Sequence, residues 1–163
     1  MLKKIFWTLV IIFALFQLYP RPAKNISDAP ANADINMMHK LPDDVAGILK
    51  SSCYDCHSNN TRYPWYASIQ PVALWLDDHV QEGKAELNFS EFANYSPARR
   101  SRNLEEISDE IEHGEMPLDS YTWIHRDAKL TDAQKQSVYA WVKNLRDEYS
   151  RTYSTEELTR KKK

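Results

Sequence analysis

Hydrophobic and polar positions divide the chain into one uninterrupted apolar run followed by several amphipathic stretches. Residues 5–19 carry no charge, follow Met1-Leu2-Lys3-Lys4, and end at Pro20-Arg21-Pro22. Residues 20–40 show little periodicity and hold Pro20, Pro22 and Pro30, which reads as a semi-extended tether. Leu41-Pro42-Asp43-Asp44 then opens a helix, because proline in the first turn needs no donor and two acids suit the positive end of the helix dipole. Val45, Ile48, Leu49 and Ser52/Cys53 continue it at helical spacing.

A polar turn at Ser58-Asn59-Asn60-Thr61 and an aromatic loop at Arg62-Tyr63-Pro64-Trp65-Tyr66 follow. Pro71 starts a second helix with Val72, Trp75, Leu76, His79 and Val80 on one stripe, and Gly83 is expected to close it. Phe89 and Phe92 form a short local anchor. Ser96-Pro97 begins a third helix with Leu104, Ile107 and Ile111 inward and Gly114 as its stop. Thr131 with Gln134 makes a capping box for the last helix, where Val138, Trp141, Val142 and Leu145 recur at i, i+3, i+4, i+7. No alternating strand pattern of comparable quality is present, so the fold class is all-α. Residues 150–163 read as a frayed basic tail.

The 163 residues suit one domain with appendages: 1–19 a signal anchor or signal peptide, 20–40 a tether, 41–149 the domain. Residues 5–19 as a helix span about 22 Å, short of the roughly 30 Å hydrocarbon layer. Trp7 and Tyr19 at the interfaces with snorkelling Lys3 and Lys4 lengthen the effective span, and Ala31-Asn32-Ala33 lies far from the run for a cleavage site. An anchor is therefore favoured, with the amino terminus cytoplasmic and the domain on the periplasmic face of a bacterial inner membrane, or free in the periplasm after cleavage.

Charge changes the picture in one respect. Residues 41–149 hold eleven Lys/Arg against nineteen Asp/Glu, a net charge near −8, which argues against a nucleic-acid partner. Three glycines leave no phosphate-cradling loop. No catalytic carboxylate pair or nucleophile triad emerges, so no enzyme activity is expected.

The only two cysteines fall in Cys53-Tyr54-Asp55-Cys56-His57, the C-x-x-C-H pattern of covalent haem attachment. Random placement yields this spacing with the adjoining histidine roughly once in a few thousand cases. A zinc site needs further ligands at regular spacing, and a thioredoxin-like pair needs a βαβ context. Cys53 and Cys56 are thus expected to be the thioether sites of one haem c, with His57 as the proximal iron ligand; a structural or redox disulfide, which export would permit, is the remaining alternative. Met116, in Gly114-Glu115-Met116-Pro117, is the expected sixth ligand, because glycine ends a helix and proline holds the preceding residue extended. His113, His79 and His125 remain as alternatives, and His39 is expected to face solvent. Tyr63 and Trp65 are candidates to wall the haem edge, with Arg62 pairing a propionate; a structural aromatic cluster is the competing account. Trp75, Trp123 and Trp141 are expected in the core.

These residues resemble the cytochrome c-like haem-binding domain family of exported bacterial proteins, chiefly from Bacteroidota. The resemblance rests on Cys53 to Asn59, Tyr63-Pro64-Trp65-Tyr66, Pro71-Val72, His79-Val80, Leu87-Asn88-Phe89-Ser90 and Gly114 to Pro117, within residues 41–147. It implies one covalent haem, His57 as proximal ligand and a mainly helical fold. The order of haem-bearing helix, Met-Pro loop and terminal helix also resembles mono-haem cytochromes c, whose first and last helices pack together. The expected function is one-electron transfer between redox partner proteins. The alternatives are a haem-based small-molecule sensor, a peroxidase-like enzyme, or a haem-bearing accessory module of a respiratory complex.

Overall fold

A computed structural model describes residues 1–159, and the described residues form helices and short 3-10 turns without a strand. The all-α expectation holds. The α-helices are α1 (Leu2–Phe16), α2 (Ile35–His39), α3 (Asp43–Ser52), α4 (Tyr54–His57), α5 (Val72–Glu86), α6 (Pro97–His113), α7 (Asp119–Thr122), α8 (Asp132–Thr152) and α9 (Thr155–Thr159). Single 3-10 turns cover Trp65–Ser68, Phe89–Asn94 and Arg126–Ala128.

Local chemistry sets the helix ends. The Ser96 hydroxyl accepts the Arg99 N–H with Pro97 in the first turn of α6, and Gly114 ends that helix at φ 77° in the left-handed region. Thr131 and Gln134 form both bonds of the capping box of α8.

The core lies where α6 and α8 pack together and α3 crosses α8. Val45, Ile48 and Leu49 meet Leu104, Ile107 and Ile111, together with Val138, Trp141, Val142, Leu145 and Tyr149. Each such side chain stabilises the fold by about 1.5–3 kcal/mol. The helix that leads into the C-x-x-C-H segment, α3, therefore packs against the long terminal helix, leaving α4 at its end free to meet α5.

Several expectations give way to tertiary contacts. Gly83 does not close α5, which runs three residues further to Glu86; its missing side chain instead admits another helix. Residues 20–40 do not trail freely. Ile35 is fully buried in the core, the Asn25 side chain donates to the Ser58 carbonyl and the Thr61 hydroxyl, and the Lys84 ammonium donates to Asn25 Oδ1. His39 is half-buried, 2.8 Å from the Tyr149 hydroxyl, rather than solvated. The supposed tail begins inside α8, and Leu158 of α9 folds back onto the core; its last residues, 160–163, lie outside those described. Trp141 is buried as expected, but Trp75 is 47% and Trp123 83% exposed, because α5 and the loop around α7 turn these rings outward.

Along α1 no residue is buried. Among the described residues no helix is long and apolar enough to cross a membrane. The end of α1 is nevertheless joined to the domain: the Gln17 amide donates to the Gln70 carbonyl at 2.9 Å, and the Gln70 N–H donates back to Gln17 Oε1 at 3.1 Å.

Candidate functional site

The five residues Cys53 to His57 leave α3 and turn immediately into α4, so both sulfurs and the imidazole project from one short segment. α4 rests on α5, and Gly83 is the reason it can approach so closely. A Cβ at position 83 would stand 3.0 Å from the Cys56 carbonyl oxygen and 3.2 Å from Cys56 Cβ. Only glycine fits this crossing without displacement of the Cys53–His57 turn.

The imidazole of His57 is half-buried, with Phe89 edge-on at 6.3 Å between centroids. Its Nδ1 lies 3.0 Å from the Leu87 carbonyl oxygen. With the proton on Nδ1, that bond directs the unprotonated Nε2 away as a free donor atom, the arrangement that orients ligating histidines. Burial holds the His57 pKa below its ordinary value while the Leu87 and Gly83 carbonyls oppose the shift, so the neutral form prevails at neutral pH.

Leu87 is itself fixed by a side-chain network. Asn88 Nδ2 donates to Asn59 Oδ1 at 2.8 Å, Asn59 Nδ2 donates to Glu91 Oε1 at 2.8 Å, and the Asn88 N–H donates to the Tyr95 hydroxyl at 2.9 Å. The Asn-rich turn after the haem motif and the 87–95 segment thus hold each other. That was not visible in the one-dimensional pattern.

Burial pushes the Cys53 thiol up to about 12, with Cys56 adding to the shift. Burial, then the nearby Asp55 carboxylate, pushes the Cys56 thiol up to about 11. Both thiols are protonated at neutral pH, unlike the low-pKa nucleophile of a thiol oxidoreductase.

Asp55, between the cysteines, is buried and receives Arg62 Nε at 3.0 Å, Arg62 Nη2 at 3.1 Å and the Arg62 main-chain N–H at 3.1 Å. The Tyr121 hydroxyl donates to the same carboxylate at 2.7 Å. Arg62, expected to meet a propionate, is thus committed to Asp55. The nearest carboxylate in the sequence captured it. Tyr63 is likewise engaged, its hydroxyl accepting the Asn25 N–H at 2.8 Å, and Trp65 is 79% exposed beside Tyr66.

Met116 is partly buried on the loop that leaves α6, its main-chain N–H donating to the Glu110 carbonyl at 3.1 Å. The same connection continues into α7, where Tyr121 reaches Asp55, so the Met116 loop is carried back to the cysteine turn. Of the histidine alternatives, His125 stacks on Tyr121 at 4.4 Å with its Nε2 2.8 Å from the Tyr66 hydroxyl, His79 has Nδ1 2.9 Å from the Trp75 carbonyl, and His113 is exposed.

Sequence reasoning missed Gly83, Leu87, Asp55 and Tyr121 as parts of this site. A glycine inside an otherwise helical stripe was a legible signal for close approach. Nothing local announced the other three contacts.

The donor set suits a haem: two protonated thiols and one imidazole with a free, oriented nitrogen on a single turn, seated against a glycine. The sequence matches the haem-binding domain family over residues 11–144, from within α1 into α8. No curated protein and no solved structure matches the chain. Motif, orienting carbonyl and the extent of that match lead to one conclusion: the chain is a haem protein and belongs to the haem-binding domain family.

Proposed function

We propose that the protein is an exported, membrane-tethered c-type cytochrome that passes one electron at a time between redox partner proteins. Cys53 and Cys56 would hold one haem through thioether bonds, with His57 Nε2 and the Met116 thioether as its iron ligands. The bound group supplies a ferric/ferrous couple, raised in potential by His/Met ligation relative to bis-histidine. The chain's own residues do the rest. Leu87 fixes the His57 tautomer, Gly83 seats the attachment turn, and Met116 is carried on the connection that Tyr121 ties to Asp55.

The observation that carries this reading is the 3.0 Å approach of His57 Nδ1 to the Leu87 carbonyl beside two protonated cysteines. The acidic net charge of residues 41–149 suits partners with basic docking surfaces. For the tether, support comes from the wholly exposed, apolar α1 and the lysines that precede it.

The test is an absorption spectrum of exported protein, oxidised and reduced, with haem staining after denaturing electrophoresis. Covalent stain with a low-spin spectrum and a methionine–iron charge-transfer band agrees with the proposal. A high-spin spectrum that changes with peroxide, CO or NO replaces it with the sensor or peroxidase reading. Fractionation of cells tests the tether, which release of the domain into the soluble periplasm would overturn.

A further inference from the structure

The attachment turn contains a charge that covalent haem binding does not itself require. Asp55 is 6% exposed, yet its carboxylate takes four hydrogen bonds, three from Arg62 and one from Tyr121. Thr61 Oγ1 donates in addition to the Asp55 main-chain carbonyl at 2.6 Å. Burying a carboxylate is unfavourable unless it is paired, and here the pair is uneven: the Arg62 side chain is 56% exposed and the Asp55 side chain 8%. Solvent screens the cation more than the anion. A net negative field therefore persists inside the turn, one residue from Cys56 and two from Cys53 and His57.

We propose that Asp55 is a positioning and potential-setting residue for the haem, with Arg62 as its partial counter-charge and Tyr121 as the link to the Met116 loop. The inference rests on the reading that haem is held by Cys53, Cys56 and His57. Oxidised iron carries one more positive charge than reduced iron, so a fixed anion beside the attachment bonds favours the oxidised form. A unit charge acting over a few residues through an effective dielectric of about 20 changes such an equilibrium about tenfold. The segment 117–125 is held to the same carboxylate, so the charge that biases the couple also fixes the chain leading from the sixth-ligand loop.

The two partners of the ion pair make opposite predictions. In Arg62→Gln the carboxylate keeps the main-chain N–H of position 62 and the Tyr121 hydroxyl but loses its counter-charge, so the reduction potential falls. In Asp55→Asn the guanidinium is left uncompensated and the potential rises. Each shift is expected near tenfold in the reduction equilibrium, about 59 mV for one electron, with Arg62→Gln the smaller because the more exposed Arg62 charge is the more screened. Arg62→Lys keeps the charge and is expected within about twofold of the wild type.

Redox titration of the full-length holoprotein, with haem content measured by denaturing-gel stain, reads these outcomes directly. Potentials that move in the same direction in Asp55→Asn and Arg62→Gln, or stay within twofold while only the melting temperature falls, overturn the inference and leave a purely structural tie. If Asp55→Asn accumulates no holoprotein, the comparison of Arg62→Gln with Arg62→Lys decides, since equal potentials in those two overturn it. Wild-type protein without covalent haem overturns the attachment reading instead, and this inference with it.

Discussion

The carbonyl oxygen of Leu87 stands 3.0 Å from Nδ1 of His57, thirty residues away along the chain. A main-chain acceptor cannot be removed by substitution, so the orientation of His57 depends on the Asn59–Asn88–Glu91 network that fixes the backbone behind it. Asn59→Ala is expected to destabilise the protein by about 1–2 kcal/mol, since it strands the buried Asn88 amide, while the Glu91 carboxylate keeps its bond from Asn94. Chemical unfolding of wild type and variant measures this. A difference below about 0.3 kcal/mol would show that water replaces the network.

Replacement of Cys53 and Cys56 by alanine should abolish haem staining after denaturing electrophoresis, because no other cysteine exists to carry a thioether. Persistence of the stain in the double variant would refute covalent attachment at this turn.

Met116→Ala should remove the low-spin, methionine-ligated spectrum while leaving the stain intact. His79→Ala and His125→Phe should leave the spectrum unchanged, for both side chains already have hydrogen-bonding partners in Trp75 and Tyr66. Should His125→Phe alone change the spectrum, the sixth ligand would be reassigned.

Gly83→Ala sets two effects against each other. Alanine favours a helix interior by up to about 1 kcal/mol. The new Cβ would meet the Cys56 carbonyl oxygen at 3.0 Å, and a backbone atom cannot swing aside as a flexible side chain can. Overpacking costs about 1–3 kcal/mol. The clash prevails, so thermal unfolding should show net destabilisation together with reduced haem incorporation; a stabilised variant would contradict the close helix contact.

Burial lowers the His39 pKa below its ordinary 6.5, outweighing the attraction of Glu148. As pH falls below 6.5 the unfolded chain takes up the proton first, so stability is fully present above that pH and is lost progressively toward the lower folded value. His39→Gln removes this contribution. Unfolding free energies measured near pH 7.5 and pH 5.5 should fall more steeply for the wild type than for the variant, and parallel slopes would exclude His39 as the cause.

Ile35→Ala tests whether the segment before α3 belongs to the fold. A fully buried isoleucine costs about 2–5 kcal/mol on truncation, whereas a residue on a free tether costs almost nothing. Denaturant unfolding separates the two.

Helix ends, helix stripes and the five-residue motif are legible along the chain because neighbouring residues decide them among themselves. Ser96-Pro97, Thr131 with Gln134, and Gly114 bound their helices because caps act over about four residues. The stripes of α3, α6 and α8 follow from helical periodicity, and Cys53, Cys56 and His57 were readable because their chemistry is confined to five positions.

Long-range competition decided the remainder. Arg62 was available in sequence to any anion, but the fold brings it bidentately onto Asp55. Gly83 has the local signature of a helix stop, yet α5 continues because the space above position 83 belongs to Cys56. The composition of residues 20–40 suggested a tether, but a single isoleucine finds the core and three side chains hold Asn25. Tyr121 reaches Asp55 across 66 residues, a contact with no trace in local spacing. Caps and periodicity are set by backbone geometry within one helical turn; which buried donor meets which acceptor depends on the packing of α4, α5 and the loops around them, and only the tertiary structure settles that.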